Sequence, residues 1–196
     1  MKQLGFALFV AAALMPAPAS AQALTTAGYD FIDAVKKSDG NKAIDLLNQH
    51  PGGLVDTKDG DGNTALIIAI ARSDDNWTGF LLKQGADPNL PGKGGDTPLI
   101  AAARVDFVEA AEWLVSMGAK VDADNKMGET PLIVAVQRHD TPLVRLLLDR
   151  GANPDKSDAA AGYSARDYAK RDPHDRDILK MIEDKKPKPA AAASAN

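Results

Sequence analysis

Apolar residues in this chain come in short blocks separated by clusters of Gly, Asp, Asn and Lys, and within the blocks they recur at helical rather than strand spacing. Leu99, Ala102 and Ala103 lie on one block, and Val108, Ala111, Leu114 and Val115 on the next. The first block of each pair follows a threonine, at Thr64, Thr97 and Thr130, in the stretches GNTALIIAI, GDTPLIAAA and GETPLIVAV. A Thr hydroxyl can accept from an amide left without a partner at a helix start, and Pro at the first helical position has no amide to satisfy. A helix is therefore predicted to begin at each Thr. The second block ends on an apolar pair (Leu81 and Leu82, Leu114 and Val115, Leu147 and Leu148), followed by Gly85, Gly118 and Gly151. A glycine there can close a second helix by taking the left-handed conformation. Both marks recur every 33 residues, and connectors such as NLPGKGGD and ADNKMGE suit tight turns that project into solvent.

A period of this length points to a repeat architecture. On these motifs the chain resembles the ankyrin repeat family, whose units carry G-x-T-P-L-H-x-A-A in the first helix and L-L-x-x-G-A-D in the second. The resemblance implies an all-α repeat solenoid of helix-turn-helix units with projecting β-turn loops. It spans a repeat domain at residues 22–184, with inner units at 60–92, 93–125 and 126–158 and degenerate caps at 27–59 and 159–184, about five units in all. In the first cap, Phe31, Ala34 and Leu46 align with Leu66, Ala69 and Leu81, with a two-residue insertion near HPGG. In the last, Gly162, Ala165 and Ala169 take the places of Gly128, Pro131 and Ala135, and polar residues stand where a terminal unit meets water. The family's His after Thr-Pro-Leu is Ile67, Ile100 and Ile133 here. A hydrogen bond that ties neighbouring loops in the family is therefore expected to give way to apolar packing.

The ends differ in character. Residues 1–21 carry Lys2, an apolar run from Leu4 to Met15 and small residues at Ala19 and Ala21, the pattern of a cleaved secretory signal peptide. The run is shorter than the roughly 20 apolar residues that span a bilayer. Export to the periplasm is expected, with no membrane attachment after cleavage. Residues 185–196, KKPKPAAAASAN, have no aromatic or branched apolar residue and are expected to form a flexible Lys/Pro/Ala tail. The absence of Cys removes disulfides and thiolate metal sites. The formal net charge of −4, one unit more negative without the leader, argues against nucleic acid or an anionic membrane as partner.

No constellation in the sequence points to catalysis, a metal or a cofactor. His50, His139 and His174 fall in separate units without metal-ligand spacing, and are read as loop and helix-end residues. Ser164 in GYSAR lacks the second Gly of a nucleophile elbow and opens an expected helix. The alternating acids of DTKDGDGNT fail as an EF-hand, since a start at Asp59 puts Thr64 where Gly is required and Ile70 where a bidentate Glu is required. Trp77 and Trp113 lie on second helices and are expected in the core.

The expected function is a non-catalytic module acting outside the cytoplasm, a monomer that binds a folded protein. The family resemblance implies that the contacts come from the turn tips and the exposed ends of the first helices, in a concave groove. Those positions are Lys58, Asp61, Asn63, Arg72, Lys93, Asp96, Arg104, Val105, Lys126, Met127, Glu129, Gln137 and Arg138. They include a row of cations at Arg72, Lys93, Arg104, Lys126 and Arg138, which either faces an acidic partner patch or is an ordinary solvated face. The chain also resembles small exported bacterial ankyrin proteins, some of which are linked to oxidative-stress defence through a catalase. That resemblance implies support of a periplasmic stress-defence enzyme, and an immunity or inhibitor protein that blocks a secreted toxin enzyme is the alternative.

Overall fold

The computed structural model describes residues 19–185. It contains ten α-helices: α1 (Ala19–Lys36), α2 (Gly40–Gln49), α3 (Ala65–Ala71), α4 (Asp75–Lys83), α5 (Pro98–Arg104), α6 (Val108–Ser116), α7 (Pro131–Gln137), α8 (Thr141–Asp149), α9 (Ala165–Arg171) and α10 (Arg176–Asp184). Ala19 to Ala21 of the expected leader belong to α1. The rest of that leader, and the expected tail beyond Lys185, lie outside the described residues.

The helix ends form where the sequence marks them, and for the physical reasons it offers. The hydroxyls of Thr64, Thr97 and Thr130 accept from the amides of Ile67, Ile100 and Ile133 at 3.2 to 3.3 Å. At the far end of each unit Gly85, Gly118 and Gly151 take φ of 85° to 91°. The next residue then folds its amide back, so that Ala86, Ala119 and Ala152 donate to the carbonyls of Leu81, Leu114 and Leu147. Between the two helices of a unit the chain turns through a second left-handed residue, which is not glycine. Ser38, Ser73, Asp106 and His139 all have φ between 50° and 58°.

The helices stack in two rows. The first helices α1, α3, α5, α7 and α9 pack in series, and the second helices α4, α6, α8 and α10 form an outer row against them. Leu66, Leu99 and Leu132 lie at equivalent positions of the inner row and are fully buried, as are Leu81, Leu114 and Leu147 of the outer row. The inner helices pack more closely on one another than the outer helices do, which bends the stack toward the first helices and their turns. That side is concave, and the outer row is the convex back.

Neighbouring units are also tied by a polar ladder at the loop after each second helix. The carboxamide or carboxylate oxygens of Asp56, Asn89 and Asp122 accept from the amides of Asp87, Lys120 and Asn153 in the following unit, at 2.8 to 3.0 Å. The same contact thus recurs at the repeat period, which makes the register of one unit on the next a matter of hydrogen bonding as well as packing.

Candidate functional site

The projecting turns are each organised by one side chain. Asp59, Asn125 and Asp158 occupy the same position in three of the four turns, and each directs one oxygen at two amides of its own turn. At the fourth such position stands Gly92, where a Cβ would come within 2.7 Å of the Asn63 carboxamide oxygen. Asn63 takes over the tie by accepting from the Lys93 amide at 3.0 Å. Further on, Lys126 donates its amide to the Gly94 carbonyl at 3.1 Å, and Ala159 to the Met127 carbonyl at 2.8 Å. Ile67, Ile100 and Ile133 are buried below the turns. The family's His-mediated tie between loops is thus replaced by Asn63 and by backbone bonds, in addition to the apolar packing anticipated from the sequence.

Asp61, Asn63, Lys93, Asp96, Lys126, Met127 and Glu129 are on these turns, and Arg72, Arg104, Val105, Gln137 and Arg138 are at the ends of first helices. Lys58 is exposed at the start of the first turn, opposite Thr64. The set is therefore brought to one side of the stack, but most of its cations are engaged within the fold. Arg104 lies across Asp96, with Nε and Nη2 at 2.6 and 3.1 Å from the two carboxylate oxygens, and donates to Glu129 of the next turn at 2.7 Å. Asn125 closes the network by donating to both acids. Bonding to Asp96 and then to Glu129 raises the Arg104 pKa further above its ordinary value. Arg138 forms a bidentate pair with Asp106, and holds that carboxyl below the usual carboxylate range. Arg72 reaches back to the carbonyls of Val35 and Lys36 at the end of α1, and Lys93 pairs with Asp61.

Four of the five cations in the expected basic row thus join one unit to another or one turn residue to its neighbour. Their spacing reflects the repeat, which carries the same stacking problem once per unit. Lys126 is the member with no carboxylate partner among the described residues. Beside it, the Met127 side chain is 52% exposed although its backbone amide and carbonyl are both hydrogen-bonded. An apolar side chain held in water on a fixed turn is a contact that needs no ordering on binding. Gln137 is exposed at the end of α7, and Val105 is half-buried at the end of α5.

The other residues with chemical potential are engaged within the fold. Ser164 forms a capping box with Asp167, donating its hydroxyl at 2.7 Å and accepting from the Asp167 amide at 3.2 Å. In the acidic turn, Asp59 is paired with Lys36 at 2.8 Å, and Asp56 accepts from the next unit. Trp77 is buried, but Trp113 departs from the expected core placement. It stands 36% exposed on the convex back, one position from the fully buried Leu114.

Sequence spacing also missed the surroundings of His139. Its Nδ1 is 2.7 Å from Asp175, a buried acid of the terminal cap, and its Nε2 is 3.8 Å from Asp172. Asp172 in turn accepts from His174. His139, Asp172 and Asp175 together offer a cation three potential ligand atoms within 4.8 Å of one another, but each imidazole nitrogen already faces a carboxylate. The Asp175 hydrogen bond, followed by the charges of Asp175 and Asp172, raises the His139 pKa above 6.5. The pairing therefore stabilises the folded chain fully below about pH 6.5 and loses that contribution as pH rises through the raised folded value. The imidazole is half-exposed, so solvent screening keeps the effect small. His139→Asn preserves the left-handed backbone, which Asn tolerates. The wild-type advantage in melting temperature over this variant is expected at pH 5.5 and to be gone at pH 8.5, as followed by circular dichroism.

A family model described as ankyrin repeats (3 copies) matches residues 31–125 and again 78–158. None of the curated proteins compared with the chain matches it.

Proposed function

The chain belongs to the ankyrin repeat family, whose members serve as protein–protein interaction modules, and on that premise we propose that it binds a folded protein partner through the turn tips of its concave side, outside the cytoplasm. The observation that carries this reading is the Lys126–Met127 tip: an unpaired cation and an exposed apolar side chain on a turn fixed from both neighbouring units. Lys58, Asp61, Lys93 and Gln137 extend the surface on either side. Arg104, Asp96 and Glu129 join two of the turns, and Arg72 and Arg138 tie the ends of first helices to the preceding unit, so their contribution to binding is to keep the surface rigid. The leader-like residues 1–21 support an exported location, and a periplasmic stress-defence enzyme is the partner class we favour.

The test is affinity capture from the exported fraction of the source cell, comparing the wild type with a Lys126→Glu, Met127→Asp variant of unchanged helicity. These positions are preferable to Arg104 or Arg138, whose replacement would break ties between neighbouring units. One protein retained by the wild type and lost by the variant is the expected result. Equal retention by both would remove the tip as the site. Loss of the captured enzyme's activity on mixing would identify an inhibitor in place of a supporting partner.

A further inference from the structure

Two departures from the repeat meet at the terminal cap. The left-handed residue between the helices of a unit is Ser38, Ser73 or Asp106 in the first three units and His139 in the fourth. The next such connection, between α9 and α10, has no left-handed residue and runs through a 3-10 turn at Pro173–Asp175, capped by the Asp172 side chain. His139 and Asp172 are 33 positions apart, so spacing along the chain hides what the stacking of one unit on the next brings together.

The two ring nitrogens of His139 are placed differently. Nδ1 is within hydrogen-bond distance of Asp175, at 2.7 Å, and that acid is buried. Nε2 is 3.8 Å from Oδ2 of Asp172, too far for a hydrogen bond. Two ligand atoms that each lie about 2.1 Å from one Zn²⁺ stand about 3.4 Å apart at the tetrahedral angle, and at most about 4.2 Å apart. The separation of Nε2 from Asp172 therefore suits a shared metal ion better than it suits a direct contact. A histidine that ligates a metal almost always donates its other N–H to an acceptor that fixes the ring and its tautomer. The buried Asp175 stands in that place on Nδ1, which leaves the Nε2 lone pair for the ion. On the other oxygen of Asp172 lies a second imidazole, with His174 Nδ1 at 2.8 Å. The His174 side chain is 88% exposed, so the ring has room to turn toward an ion held by its neighbours.

We propose that His139, through Nε2, together with Asp172 and His174, binds a Zn²⁺ ion, with Asp175 as the positioning residue behind His139 and water completing the coordination. The donor set selects the metal: imidazole suits zinc and its late first-row neighbours, whereas Mg²⁺ and Ca²⁺ take oxygen ligands. The ligands come from the turn after α7 and the turn after α9, so the ion clamps the terminal cap onto the last inner unit. The metal-free chain keeps the His139–Asp175 pair in its place. The site shares no residue with the Lys126–Met127 tip, and partner binding there is not required.

The test is calorimetric titration of the untagged full chain, freed of metal with EDTA and dialysed, using ZnCl2 alone. One Zn²⁺ per chain is expected, with no heat from MgCl2 at the same concentrations. His139→Asn and Asp172→Asn should each weaken zinc at least tenfold; the first tolerates the left-handed backbone and the second keeps an oxygen for the His174 amide. His174→Ala, a surface change, should also weaken it, and Asp175→Asn should weaken it about tenfold, as loss of an orienting carboxylate does. His50→Ala should bind as the wild type does. Zinc should raise the melting temperature of the wild type and leave that of His139→Asn unchanged, a response that an ion pair alone would not give. Each variant is checked for unchanged helicity by circular dichroism. Absence of zinc binding, or binding of equal strength in the wild type, His139→Asn and Asp172→Asn, would overturn the proposal. So would loss of binding in His50→Ala, which would place the ion elsewhere.

Discussion

Gly128→Ala is expected to destabilise the protein far more than the same change at Gly118, although both glycines have positive φ, 76° and 91°. At Gly118 an added methyl meets open space, and the cost is that of holding Ala in the left-handed region, about 1 to 2 kcal/mol. At Gly128 the methyl would lie 2.5 Å from the amide nitrogen of Ala159 and 3.1 Å from the carbonyl carbon of Asp158. Neither is the far end of a flexible side chain. The turn must move off its neighbour, and the Ala159 to Met127 backbone hydrogen bond is stretched or lost, adding roughly another 1 to 3 kcal/mol for a group left unsatisfied. Urea unfolding of the two variants side by side checks this, with the difference between them isolating the steric part. Equal midpoints would mean that the contact between these turns contributes little. Because Met127 sits on the displaced turn, Gly128→Ala should also weaken the proposed partner binding, whereas Gly118→Ala should not.

Leu132→Ala is expected to lose about 2 to 5 kcal/mol, a large fraction of the 5 to 15 kcal/mol that typically separates folded from unfolded domains. Leu132 is fully buried in the first turn of α7, a helix that packs on α5, α8 and α9 at once. In a stack held by nearest-neighbour contacts, a cavity there weakens the joint between the inner units and the terminal cap. The unfolding transition should broaden or split as α9 and α10 separate first, a departure from two-state behaviour visible by comparing circular dichroism with Trp fluorescence. Both Trp77 and Trp113 lie on the amino-terminal side of that joint and would report the later step. A loss below about 1 kcal/mol with coincident transitions would show that the stack relaxes around the cavity.

The fold was legible in the sequence because its marks have local causes. A Thr that caps, a Pro that needs no amide and a Gly that must be left-handed act within one turn of the chain, and their recurrence at one period reveals the stacking. What escaped notice depends on residues 25 to 36 positions apart. Arg104 reads as a free cation until Glu129 of the following turn is placed beside it, and Arg138 until Asp106 of the preceding unit is. His139 reads as a loop residue until the terminal cap brings Asp175 to its Nδ1. Trp113 escaped for a geometric reason: one residue is about 100° of helix, enough to separate the buried Leu114 from an indole lying on the back. The exposed tip at Met127 was identified by its place in the turn, but its rigidity comes from bonds to two different units.

The central claim is that the fixed turn tip holds a folded partner, and it is tested most directly by installing a photo-crosslinking amino acid at position 127 of the full chain in its source cell. Illumination should yield an adduct with a single protein from position 127, and none from position 160 on the next turn, if the tip is the contact. Absence of any adduct from position 127 while position 113 gives one would contradict the account and move the partner to the convex back.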